Sequence, residues 1–78
     1  MNDAYKLIQF QALDFDRPTG YAYGERAICI SRDSVASIED TDAPRSTGAF
    51  SLITLRDGRS YTVRGSCADV RLKLESNL

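Results

Sequence analysis

The chain contains no histidine among its 78 residues, and that absence removes much of the usual repertoire of protein chemistry. Ser-His-Asp and Cys-His nucleophiles are excluded, as are most zinc sites. Two cysteines remain, Cys29 and Cys67. Either they form one disulfide, which needs a fold that brings them together, or they stand as two reduced thiols, the simpler reading. Cys67 sits in the first turn of an expected helix, where the dipole lowers a thiol pKa, yet no base stands ready to use it. Asp14-x-Asp16 and Glu39-Asp40-x-Asp42 carry oxygen ligands of the kind a hard cation takes. Neither follows an EF-hand spacing, and short acid clusters in loops are ordinarily solvated. There is no phosphate-binding loop and no dinucleotide glycine pattern. Carboxylates that work in acid-base pairs need a pocket, which a core of this size rarely encloses. These residues argue against an enzyme, a metal protein and a bound cofactor.

What remains suits binding. Tyr21 and Tyr23 lie two apart, so in an extended arm they face the same way. They form an aromatic contact patch for a partner, or else they pack on the rim of the fold. The charge is unevenly spread about a net of −1. Residues 1 to 42 hold eight acids against four bases, and residues 56 to 78 hold five bases against three acids. The acidic front half, with Glu39, Asp40 and Asp42, suits a basic protein surface. The five bases Arg56, Arg59, Arg64, Arg71 and Lys73 offer phosphate contacts, with Tyr61 or Tyr21 for stacking. Neither half reaches the charge density of a typical nucleic-acid binder.

The elements that must position these groups centre on Phe50 to Leu74, which reads as strand, turn, strand and helix. Ile53, Leu55, Tyr61 and Val63 are all odd-numbered. A two-residue Asp57-Gly58 loop would put the two pairs on opposite faces. A three-residue loop, Arg56-Asp57-Gly58, pairs Leu55 with Arg59 and Ile53 with Tyr61, so all four share one face, and Gly58 takes the left-handed position of a bulged turn. Phe50 and Leu52 lie on the other face with Thr54, Thr62 and Arg64. The sheet is therefore partly covered on both sides or curled into a small barrel. Gly65 ends the strand, Ser66 caps a helix with Asp69 three residues on, and Cys67, Val70 and Leu74 make the docking stripe. Leu72 falls off that stripe, either as an ordinary exposed residue or as part of a partner surface.

Upstream, residues 5 to 13 alternate as a strand, with Ile8, Phe10 and Ala12 on one face. The stretch DFDRPTGYAYGE, punctuated by Pro18, Gly20 and Gly24, reads as a long hairpin connection. Residues 26 to 31 form a second strand with Ile28 and Ile30 inward. Arg32-Asp33-Ser34 interrupts it, and VASIED continues as a third strand, or as the second half of one bent strand, with Val35 and Ile38 in the core. The polar loop TDAPRSTG reads as the mobile segment. The expected fold is one mainly β (α+β) domain: a small antiparallel curved sheet or partly open barrel of four to five strands, with one C-terminal helix. No apolar run is long enough to cross a membrane, and the N-terminus lacks signal-peptide features. A cytoplasmic location is the expectation.

From Ile30 onward the pattern resembles the small flagellar FlbD family. The matching residues are Val35, Ile38 and Glu39 of an I-x-x-I-E style segment, Ile53, Leu55, Gly58, Tyr61 and Val63 of the hairpin, and Ser66, Asp69 and Val70 of the helix start. They cover half to two-thirds of the chain. Two departures stand out: the stretch Asp14 to Glu25 and the long loop Thr41 to Gly48. The resemblance implies a cytoplasmic accessory of the flagellar motor and brings no catalytic residues with it. The end of LytTR-type DNA-binding domains has a similar hairpin followed by a Ser-capped helix.

The expected function is a small non-enzymatic protein-interaction module, accessory or regulatory. It would be a motor accessory or an inhibitor of a larger complex, such as a phage-encoded inhibitor of a host defence complex. Its contact residues would be Tyr21, Tyr23, Leu72, Glu39, Asp40 and Asp42, and a homodimer through the helix or an edge strand is compatible. The alternative is a small barrel that binds nucleic acid through the five bases.

Overall fold

The computed structural model describes residues 7–16, 18–42 and 48–75, and the side chain of Tyr23 is not among those described. It contains β1 (Leu7–Phe15), β2 (Ala22–Ser31), a single 3-10 turn (Arg32–Ser34), β3 (Val35–Thr41), β4 (Phe50–Leu55), β5 (Ser60–Arg64) and α1 (Cys67–Glu75). The strands make one antiparallel sheet in the order β2-β1-β5-β4-β3, which is not closed. The expected mainly β architecture with one C-terminal helix is what the chain adopts.

The β4–β5 hairpin follows from parity. Ile53 pairs with Tyr61 and Ser51 with Val63. The Leu55 N–H donates to the Arg59 carbonyl at 2.7 Å, and Gly58 has φ 96°. A left-handed residue at that place is the signature of the three-residue bulged loop. Ile53, Leu55 and Val63 are buried and Tyr61 packs on them. Registered against them, Ala12 of β1 faces Val63, and Ile8 and Phe10 lie on the same face as Ala12.

β2 and β3 stand at opposite ends of the strand order, yet only Arg32–Ser34 separates them in sequence. A flat sheet cannot satisfy that connection, so the sheet curls until its two edges meet at this corner. The core lies on the concave side, where Ile8, Phe10, Ala12, Ile30, Ile53, Leu55 and Val63 meet Val70 and Leu74 of α1. Two hydrogen bonds fasten the corner to the hairpin tip: the Arg56 N–H donates to the Ser34 carbonyl at 2.8 Å, and Arg56 Nε donates to the Asp33 carbonyl at 2.8 Å.

β3 carries a bulge. Val35 pairs with Leu55, but Ser37 pairs with Thr54, so Ala36 is the extra residue. The bulge is why Val35 and Ile38, three apart, both pack on the core. α1 begins with a reciprocal cap. The Asp69 N–H donates to Ser66 Oγ at 3.1 Å, and the Ser66 N–H to Asp69 Oδ2 at 3.4 Å.

A smaller apolar cluster on the convex face joins Leu13 and Phe50 with Phe15 and Ala22. It exposes one misreading. The stretch from Asp14 to Glu25 is not a long connection, because β1 runs on to Phe15 and β2 begins at Ala22. Apolar pairing of Phe15 with Ala22, next to a register shift at Asp14/Phe15, carries the ladder past the glycine and proline punctuation. The turn itself is short: the Asp16 N–H donates to the Tyr21 carbonyl at 2.9 Å and the Gly20 N–H to the Asp16 carbonyl at 2.6 Å. Most of the loop expected to be mobile, residues 43–47, lies outside the described residues, as do Tyr5 and Lys6.

Ile53 is fully buried at the centre of the concave core. Ile53→Ala should cost about 2–5 kcal/mol in a urea melt, whereas Thr54→Ala, on the opposite face of β4, should cost under about 1 kcal/mol.

Candidate functional site

The sheet ends in two edges of different character. β3 is guarded by its bulge and by α1, whose first residue is tied to it: the Cys67 N–H donates to Asp40 Oδ1 at 2.8 Å, and Cys67 Sγ lies 3.7 Å from the Ile38 carbonyl. β2 pairs only with β1 in the strand order, so no strand is paired to its other side. It carries no proline and no lysine. A bulge at Tyr23 breaks the ladder near its start, where Asp14 pairs with Gly24 and Phe15 with Ala22. From Gly24 to Ser31 the pairing is regular and lacks the devices by which edge strands are ordinarily protected.

A cleft of about 410 Å³ opens between the C-terminal half of β2 and the tip of the β4–β5 hairpin. Its walls are buried or half-buried Ile28 and Ile30 on one side, and Leu55 and Tyr61 on the other. Ser31 and Ser34 close its end at the curled corner, where Ser34 Oγ donates to the Ser31 carbonyl at 2.7 Å. Exposed Arg56, Asp57 and Arg59 stand at the rim. Arg59 is committed to Asp57 by an ion pair of 2.8 Å, which holds the Asp57 carboxyl below its ordinary value and raises Arg59. Arg56 rests only on the Asp33 carbonyl and has no carboxylate partner among the described residues.

The residues singled out from sequence do not converge. Tyr21 is exposed at the foot of the β1–β2 turn, and Leu72, 60% exposed, lies on the outward side of α1. Glu39 and Asp42 are exposed on or just beyond β3. Asp40, expected to meet a partner, is exposed and caps α1 from another element. The acids read as potential cation ligands also have structural duties. Asp14 pairs with Arg26 at 3.0 Å, and Asp16 accepts from the Thr19 hydroxyl at 2.8 Å. No cluster able to hold a metal ion occurs among the described residues. Cys29 and Cys67 are both free thiols, the first exposed on β2 and the second at the start of α1.

The five bases are dispersed as well. Arg64 reaches across the convex face to Glu25, with Nε donating to Oε1 at 2.7 Å, and lies 5.4 Å from the Phe50 ring centroid. Arg71 lies 4.0 Å from Glu75 on α1, and the Lys73 ammonium sits 4.7 Å from the Phe10 ring centroid. The cleft itself was not visible in the sequence as a site. Its only signal was the Arg32-Asp33-Ser34 interruption, the place where the two edges meet.

Two predictions follow from this geometry. Asp40→Ala should destabilise the domain by about 1 kcal/mol, since it removes an acceptor and a negative charge at a helix N-terminus; a thermal melt beside Glu39→Ala, which should be near neutral, checks it. The Arg64 hydrogen bond holds the Glu25 carboxyl below its ordinary value of 4.5. A depressed carboxylate stabilises fully above its unfolded pKa and loses that contribution as pH falls through the lower folded value. The stability difference between the wild type and Arg64→Gln should therefore be present at pH 7, shrink below about pH 4.5 and be reduced by salt, because both partners are exposed.

No helix is long and apolar enough to cross a membrane among the described residues. Comparison with known protein families, curated proteins and solved structures finds no match to this chain.

Proposed function

We propose that this protein is a small non-enzymatic interaction module that takes a strand of a partner protein onto β2. The carrying observation is the asymmetry of the sheet: the β3 edge is tied to a helix, whereas β2 has no strand on its outer side and runs in regular register from Gly24 to Ser31 beyond its bulge at Tyr23. An open edge presents a ladder of N–H and C=O groups to any extended chain that reaches it. Every buried side-chain nitrogen and oxygen among the described residues has a hydrogen-bond partner, which agrees with a scaffold role. Such a module acts as an accessory or regulator of a larger assembly in the cytoplasm, whether as a motor accessory or as an inhibitor. Exposed Tyr21, at the turn entering β2, would extend the contact.

The nucleic-acid alternative draws less support. Three of its five bases are already held by carboxylates and a fourth lies over an aromatic ring, so they form no continuous phosphate track.

The test is capture from native lysate with the intact protein and with Cys29→Lys, which sets a charge on the exposed side of β2. A protein captured by the wild type and lost with the variant, with β2 amides slowed in hydrogen exchange in the complex, is the expected result. Equal capture by both would remove β2 as the contact. Recovery of nucleic acid that dissociates steeply as salt rises would favour the alternative.

A further inference from the structure

The open edge and the cleft belong to the same strand. Ile28 and Ile30, which wall the cleft, are two residues of β2, and both lie on its concave face. A chain paired along the outside of β2 would send every second side chain to that same face. One of those side chains would stand at the mouth of the cleft, whose volume is in the range of specific ligand pockets, about 300–1,000 Å³.

The rim adds a charge requirement. Arg59 is matched by Asp57, and Arg26, beside the Tyr61 ring at 6.0 Å, is matched by Asp14. Arg56 is oriented by its Nε bond to the Asp33 carbonyl and by nothing anionic among the described residues. A guanidinium held in place with only a neutral partner is ready to receive a carboxylate. The competing occupant is a second copy of the chain pairing β2 with β2. That copy would bring Glu25, but Glu25 is already engaged by Arg64. Glu25 is the one acid in the β2 sequence, so the β2 strand of a second copy brings no free carboxylate to Arg56.

Resting on the strand-pairing reading above, we infer that the partner is an extended acidic-apolar segment: an apolar side chain enters the cleft between Ile28, Ile30, Leu55 and Tyr61, and a neighbouring Asp or Glu meets Arg56. Backbone pairing supplies affinity, while the cleft and Arg56 choose the sequence.

The test is selection of a random twelve-residue displayed peptide library on the intact protein, followed by titration of the selected peptides as synthetic probes. The selected peptides should place a Leu, Ile, Val or Phe next to an Asp or Glu. They should shift the amide resonances of residues 28–31 and weaken by about tenfold on Arg56→Gln, the loss of one charge-assisted contact. Arg71→Gln, on the exposed side of α1, should leave binding unchanged. The fold should survive Arg56→Gln because the Arg56 side chain is exposed and the N–H bond to Ser34 comes from the backbone. No enrichment, enrichment of acid-free peptides, or binding indifferent to Arg56→Gln would overturn the assignment. So would a dimer seen by sedimentation with its β2 amides protected, which would give the edge to a second copy. Lysate capture that fails with Cys29→Lys but persists with Arg56→Gln would keep the strand-pairing reading and remove only this partner chemistry.

Discussion

The structure depends on a connection that is short for what it joins. Arg32–Ser34 links the two strands at opposite ends of the sheet. Three residues span at most about 10 Å, whereas flat strands spaced about 4.8 Å apart would put the outer two of five nearly 20 Å apart. The sheet must therefore bend. Once bent, it has an inside, and that inside is the core in which residues of β1, β2, β4 and β5 meet without a second sheet. The hydrogen bonds from Arg56 to Ser34 and Asp33 are the local cost-free consequence of this closure: the hairpin tip arrives where the corner's carbonyls point. α1 then covers part of the concave side with Val70 and Leu74.

Bending without closing leaves edges, and the chain treats them unequally. The β3 edge is used up by the bulge at Ala36 and by the Asp40 cap of α1. That cap makes the helix and the edge mutually dependent: the helix N-terminus gains an acceptor, and the strand loses its accessibility. β2 has a bulge at Tyr23, near its start, but no helix tie of this kind covers it among the described residues. A small domain with little core to spare would gain from covering this edge too, so leaving it bare is an energetic opportunity for whatever pairs with it. The cleft lies at the same place because both arise from incomplete closure of the same curl.

Much of this was legible in the sequence where the determinants are local. Odd-numbered Ile53, Leu55, Tyr61 and Val63 demanded a three-residue turn, and Gly58 stood where that turn needs a positive φ. Ser66 and Asp69 announced the helix start. Two features escaped because their determinants are not local. The breakers Pro18, Gly20 and Gly24 suggested a long connection, but a turn that closes on the Asp16 backbone and side chain lets Phe15 and Ala22 prolong the ladder. Asp40 read as part of a solvated acid cluster, since its partner, the Cys67 N–H, lies 27 positions away.

The same distinction governs the reading of charge. Counted along the chain, the hairpin and helix are basic, and a run of five cations invites a phosphate backbone. In three dimensions the count dissolves: Arg64 crosses the sheet to an acid of the front half, Arg59 turns back on Asp57, and Arg71 meets Glu75 on its own helix. Pairing of this kind costs a polyanion the counterion release that drives its binding, because the cations already have counter-charges of their own. A single guanidinium oriented by a neutral carbonyl is a different object. It is too little for a phosphate track and well suited to one carboxylate, and it stands beside an apolar cleft and an open strand edge. That combination, rather than the sum of charges, is what sets the kind of partner this surface can select.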